Sequence, residues 1–230
     1  MAERKVFIVD SCGVIEETID FKYYTGFAIS QKQKSIDSLH KEIKRKYHSN
    51  ILEVSSKSKD ELGVKLSAFN LKVEINGKLI AIENIFQSSK VFEKGGPYTD
   101  LLFESPIKAK KDIRLKDSGK LIKFIFKGKE FPIKPKTLFY DWIYCITLTK
   151  NKQLINDLVK FDIFTDIEFN DKKSINCQAR SAALFVYLYR NNLIDKALEN
   201  IDNFKAVAYS NKNDVENNDK ESYHQISMFD

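Results

Sequence analysis

Asn76-Gly77, set between the apolar runs "LKVEI" and "KLIAIENIF", restricts the folding of this chain more than any other pair. Asn-Gly between apolar runs is the strongest short-range hairpin signal, because a two-residue turn of the matching twist needs residues that tolerate positive φ. The second run then changes period. Wound at about 100° per residue, the segment from Ile82 to Lys94 places Ile82, Ile85, Phe86 and Phe92 on one side and Glu83, Gln87, Lys90 and Lys94 on another. It stops at Gly95-Gly96-Pro97. The spacing predicts a helix over 82–94 with a polar stripe. The plain reading of that stripe is a solvated face with an ion pair. The sharper one is a site, with Glu83 and Lys90 two turns (about 10 Å) apart, flanking a ligand across Gln87.

Around this segment, "KVFIVD" and "FKYYTGFAIS" read as strands and "QKSIDSLHKEIKRKYH" as a helix with Ile36, Leu39, Ile43 and Tyr47 at helical spacing. Ser105 and Pro106 are the N-cap and first residue of a further helix. "LIKFIFKGKEFPI" is a second hairpin turning at Lys127-Gly128, and "TLFYDWIYCITLTKN" and "KQLINDLVKF" are core helices. "FDIFTDIEF" is strand-like, and "NCQARSAALFVYLYRNNLIDKALENI" closes the fold as helix. The class is α+β: one domain over 1–207, strand-rich first and helix-rich after. From about Ser210 the chain carries one aliphatic residue, Val215, in a long polar stretch, so 208–230 is expected to be a disordered tail.

At 230 residues and 43% hydrophobic, the chain can bury a sizeable core. No apolar run approaches the roughly 20 residues of a membrane span, and the start lacks a secretory h-region. A soluble cytoplasmic protein is expected. Cys12, Cys145 and Cys177 are scattered without CxxC partners, and His40, His48 and His224 have no ligand-spaced neighbours. Neither a disulfide framework nor a metal site is expected, and no cofactor motif is present. The net charge of +6 and pI near 9.0 attract polyanions without identifying one.

Three other groupings carry chemistry. Asp166 and Glu168, at i and i+2 on a predicted strand, point the same way about 7 Å apart. They suit acid–base work on a glycosidic bond, or form the wet face of an edge strand. Ser174, Asn176 and Gln178 precede an apolar helix, where they cap it or cradle an anionic ligand. Gln225, Ile226, Ser227, Met228 and Phe229 resemble the bacterial sliding-clamp-binding peptide, on a polar tether. Gln225, Met228 and Phe229 would be its partner-binding residues.

"KLSAFNLKVEINGKLIAIENIFQSSKVF" resembles the signature of the NADAR (YbiA-like) superfamily, in which a Ser-Asn-Phe-type strand and a small hairpin lead into a Glu-His-Tyr-Phe-Gln-x-x-Lys helix. Its counterparts here are Ser67, Ala68 and Phe69, then Asn76-Gly77, then Glu83, Asn84, Ile85, Phe86, Gln87 and Lys90. "SPIKAKKDIR" resembles the Ser-Pro-x-x-Ala helix that follows. "FTDIEFNDKKSINCQARS" and "GFAISQKQKSIDSLH" are most similar to the branch of antitoxins paired with DarT-type DNA ADP-ribosyltransferases. The resemblance spans roughly 5–200. Asn84-Ile85 replaces His-Tyr, the Asp-x-x-Trp-Gly pattern has no counterpart, and Asp166, Glu168 and Asp171 all remain candidates for the late acid.

The resemblance implies a single NADAR-like domain that removes ADP-ribose from guanine in DNA. ADP-ribosylated DNA would be substrate, ADP-ribose the product and a DarT-type toxin the functional partner. The catalytic candidates are then Lys90, Glu83, Asp166 and Glu168, with Lys90 a covalent nucleophile, a phosphate contact or a proton donor. The ligand-binding candidates are Ser67, Phe69, Asn70, Gln87, Gly96, Tyr98, Asn176 and Gln178. Three alternatives stay open: an N-glycosidase acting on a free phosphorylated nucleotide or riboflavin intermediate, a non-catalytic binder of ADP-ribosylated DNA or of the toxin, and a structural interaction module.

Overall fold

The computed structural model describes residues 1–172 and 174–209. Residues 210–230, with the clamp-like Gln225, Met228 and Phe229, therefore lie outside the described residues, whereas Ala208, expected in the tail, ends a helix and Tyr209 is buried. In chain order the elements are β1 (Ala2–Asp10), β2 (Gly13–Phe21), α1 (Ile29–Lys46), β3 (Ile51–Glu53) and α2 (Glu61–Lys65). Next come β4 (Lys72–Ile75), β5 (Lys78–Ala81), α3 (Ile82–Ser88), β6 (Lys90–Phe92), a 3-10 turn (Thr99–Phe103), α4 (Pro106–Lys111) and α5 (Arg114–Asp117). Last are β7 (Leu121–Phe126), β8 (Lys129–Phe131), α6 (Leu138–Lys150), α7 (Lys152–Leu158), β9 (Ile163–Thr165), α8 (Gln178–Arg190), α9 (Ile194–Leu198) and α10 (Ile201–Ala208). The class is α+β, with strands concentrated early and helices late. No helix among the described residues is long and apolar enough to cross a membrane.

The chain forms two compact units. The first, from Met1–Ser67 and Asn151–Ile194, is built on a sheet of order β2-β1-β9-β3. β1 pairs antiparallel with both β2 and β9, and β3 runs parallel to β9. Ile36, Leu39 and Ile43 of α1 pack with Val6, Ile19, Phe21, Ile163 and Ile167 of this unit, the helical spacing read from the sequence. The second strand differs from expectation. It is Gly13–Phe21, and residues 22–28 are irregular. β1 starts at Ala2, opposite Phe21, so a strand continuing past Phe21 has nothing on β1 to pair with.

The second unit runs from Ala68 to Lys150 and resumes at Asp195. Both predicted hairpins are present, β4–β5 and β7–β8. Their turn residues take the left-handed conformation: Asn76 at φ 51° and Gly77 at 75°, Lys127 at 49° and Gly128 at 74°. The core is aromatic. Phe124 stacks on Phe139 with centroids 4.6 Å apart, and Phe131 lies 4.8 Å from both Phe139 and Trp142. Phe86 of α3 joins them, 5.4 Å from Phe124 and 5.3 Å from Tyr140. Ser105 caps α4 as expected, its Oγ accepting from Lys108 N at 3.3 Å.

Candidate functional site

The helix expected over 82–94 is only seven residues long. Ser88 and Ser89 turn their hydroxyls back onto the Ile85 carbonyl, at 3.2 and 2.7 Å, competing for the ladder that would carry the helix on. The Ser89 carbonyl then accepts from Ile125 N at 2.8 Å, and Lys90 begins β6, opposite Phe124 of β7. Lys90 and Lys94 therefore do not share a helical stripe with Glu83 and Gln87. Gly95 closes a tight turn, Phe92 N donating to its carbonyl at 2.7 Å, so the Gly-Gly pair ends a strand and not a helix. Gly96 has φ +88°, and a Cβ there would fall 2.3 Å from the Lys90 carbonyl oxygen. Its bare backbone lets the following loop lie against Lys90.

The solvated reading of the stripe holds for Lys94, which is exposed, and is overturned for Glu83 and Gln87. All seven residues of α3 are buried, and Glu83 and Gln87 are each only 6% exposed. Gln87 Nε2 donates to Glu83 Oε1 at 2.8 Å, and the Lys110 ammonium of α4 lies 4.0 Å from the same oxygen. Lys110 also sits over the Phe69 ring at 5.3 Å, and the half-buried Lys90 over the Phe86 ring at 4.7 Å. Burial pulls the Lys90 amine down from its usual 10.5 to about 8; Glu83 opposes the shift and Lys110 adds to it. An acid, an amide and two amines thus meet around one short helix within the second unit. Lys110 was not singled out from the sequence, where it is one of three lysines in α4 and nothing in their spacing separates it.

The other predicted residues of this unit divide by role. Asn84, where the family pattern has His, is structural: its amide donates to the Leu101 and Glu104 carbonyls at 2.8 and 2.9 Å. Tyr98 bonds Ser118 through its hydroxyl and carries Arg114 over its ring at 4.5 Å. Phe69 is half-buried beside Lys110, and Asn70 is exposed.

The acidic pair belongs to the first unit, and its predicted geometry does not hold. The strand ends at Thr165, because Asp166 forms a turn: its Oδ1 accepts from Glu168 N at 3.0 Å and its carbonyl from Phe169 N at 3.2 Å. Asp166 is buried, whereas Glu168 is exposed and pairs with Lys32 at 3.1 Å. The two carboxylates therefore do not share a strand face. Asp166 instead neighbours Glu53, which the sequence reading missed. Its only signal was an acid inside the apolar strand "ILEV". Glu53 accepts from Thr165 Oγ1 at 2.6 Å and Ile167 N at 2.8 Å, and Thr165 Oγ1 lies 2.9 Å from His40 Nε2. Burial raises both acids, Asp166 well above the usual carboxylate range; Glu53 and Glu168 push Asp166 up further, and Glu168 adds to the rise of Glu53. Gln178 bonds Asp166 through its side chain. Asn176 is half-buried, and Ser67 donates to the Val64 carbonyl at 2.7 Å.

Burial, with a smaller push from Lys44, lowers the His40 imidazole from 6.5 to about 4. A histidine whose folded value lies below its unfolded one lends stability above pH 6.5, lost as the pH falls through 4. The difference in unfolding free energy between wild type and His40→Gln is therefore expected to shrink by about 3 kcal/mol from pH 7 to pH 4. Urea unfolding at several pH values measures it, and parallel curves for the two proteins would disprove a half-buried imidazole held neutral.

Among the described residues, no group of three or more His, Cys, Asp or Glu is arranged to hold a metal ion. The architecture and its polar interior define an α+β protein whose short central helix carries a buried acid and amide beside a depressed amine. The family model of DarT1-associated NADAR antitoxins matches residues 2–218, and the chain belongs to that family. No curated protein matches it.

Proposed function

We propose that this protein removes ADP-ribose from guanine bases in DNA, undoing the modification made by the DarT1 toxin named with its family. The observation that carries the reading is the Lys90 amine, brought to about 8 beside the buried Glu83 carboxylate. At that value about a tenth of Lys90 is a neutral amine at pH 7. An ordinary lysine would be almost wholly charged.

Breaking the bond between ribose C1 and the guanine nitrogen sends the electron pair to the base and leaves positive charge on the ribose. Glu83, held by Gln87 and Lys110, stabilises that charge. The Lys90 nitrogen forms a bond to C1, and its proton goes to the departing guanine nitrogen. Ring opening then gives an imine, and water hydrolyses it to free ADP-ribose and the regenerated amine. The basic net charge favours approach to DNA.

The test uses an oligonucleotide carrying ADP-ribosyl-guanine, followed by gel and mass spectrometry. Wild type is expected to release ADP-ribose and, with borohydride present, to gain the mass of a reduced adduct at Lys90. Lys90→Ala is expected to do neither. No release by folded wild type would discard the activity. Release without an adduct would discard the covalent step.

A further inference from the structure

Only half of the buried Gln87 amide is in use. The Glu83 carboxylate, when ionised, accepts and cannot donate, so it must face Nε2, as the 2.8 Å bond shows. That orientation turns Oε1 the other way, and Oε1 makes no hydrogen bond with any described residue although Gln87 is 6% exposed. Buried acceptors are almost always met, and one left unmet beside a charged cluster calls for a donor from outside the chain.

We propose that Gln87 is a specificity-determining residue whose Oε1 accepts a hydrogen bond from the ribose hydroxyl next to the reacting carbon. The inference rests on the glycosidic reading of the site. In that reading the Glu83 carboxylate faces ribose C1, and Gln87 Oε1 is separated from Glu83 only by the width of one amide. The 2-hydroxyl is the ribose donor nearest C1. Hydrogen bonds to such a hydroxyl strengthen as positive charge grows on the sugar, so an acceptor placed there favours the transition state as well as the bound ligand. The N–H edge of guanine offers the same donor chemistry from the other side of the bond.

The experiment is calorimetric titration of the full chain with ADP-ribose and with its analogue lacking the 2-hydroxyl on the terminal ribose. Wild type is expected to bind the analogue about 10- to 100-fold more weakly, the usual cost of an unmet buried polar group. Gln87→Met, similar in length but without the acceptor, is expected to bind both ligands alike. Equal binding of the two ligands by wild type overturns the proposal without any variant, and so does discrimination that survives in Gln87→Met. Discrimination between guanine- and hypoxanthine-bearing modified oligonucleotides that vanishes in Gln87→Met, with none between the ribose ligands, moves the donor to the base and overturns the ribose assignment. If wild type binds neither ribose ligand, the glycosidic reading itself falls.

Discussion

Lys90→Met is expected to abolish ADP-ribose release while making the protein more stable at neutral pH. Lowering an ammonium from 10.5 to about 8 corresponds to about 3 kcal/mol against the charged form. Lys90 is half-buried, so residual solvent contact trims this to about 2 kcal/mol. The sign follows from the direction of the shift. A folded value below the unfolded one means the lysine's contribution is complete above pH 10.5 and is lost as the pH falls through 8, so at pH 7 the group opposes folding. A methionine fills similar volume without the charge, and Lys110 remains 4.0 Å from Glu83 as its counter-ion. The melting midpoint at pH 7 should rise by about 4–8 °C, and the gain should vanish above pH 10.5. Thermal unfolding of both proteins at pH 7 and pH 10.5 checks this. A variant less stable than wild type at pH 7 would show that Lys90 is a structural cation and not a strained functional amine.

Glu53→Leu is expected to lower stability by about 3 kcal/mol, because it leaves the Ile167 N–H and the Thr165 hydroxyl without their acceptor. That is a fall of about 6–12 °C in melting midpoint for a chain of this size. Glu53→Gln should be far milder. Its carbonyl oxygen can take the Ile167 N–H, while its amide donates to Thr165 and Thr165 turns its proton toward His40 Nε2. Burial raises the Glu53 carboxyl, so the acid disfavours the folded state increasingly as the pH rises above the ordinary carboxylate range. The Gln variant lacks that slope and should gain on wild type toward alkaline pH. Equal losses for Leu and Gln, in denaturant unfolding at pH 5 and pH 8, would show that shape and not hydrogen bonding decides the position.

Lys90 and Glu53 are groups whose environments the sequence hid to different degrees. The approach to α3 was legible: Asn76-Gly77 favours its hairpin turn through positive φ, and the apolar run after it takes helical spacing from Ile82, where α3 begins. The end of that helix was not legible, because Ser88 and Ser89 are ordinary helix-surface residues until β7 offers a sheet edge that takes the Ser89 carbonyl and draws Lys90 into β6. The same competition decided the acidic segment. Alternation continued through Glu168, but the Asp166 carboxylate closed a local turn that ended the strand.

Alone, the sequence determined what depends on neighbours in the chain: the two hairpins, the capped helix after Ser105 and the core spacing of α1. Only the tertiary structure decided the surroundings of Lys90, Glu53 and Asp166. Burial is a property of what packs from elsewhere, and desolvation sets the Lys90 amine near 8 and raises Glu53 and Asp166. The same is true of Lys110, which reaches Glu83 from another helix, and of Glu53, which meets Asp166 from a strand more than a hundred residues away. Their chemistry comes from through-space contact, which no local pattern records.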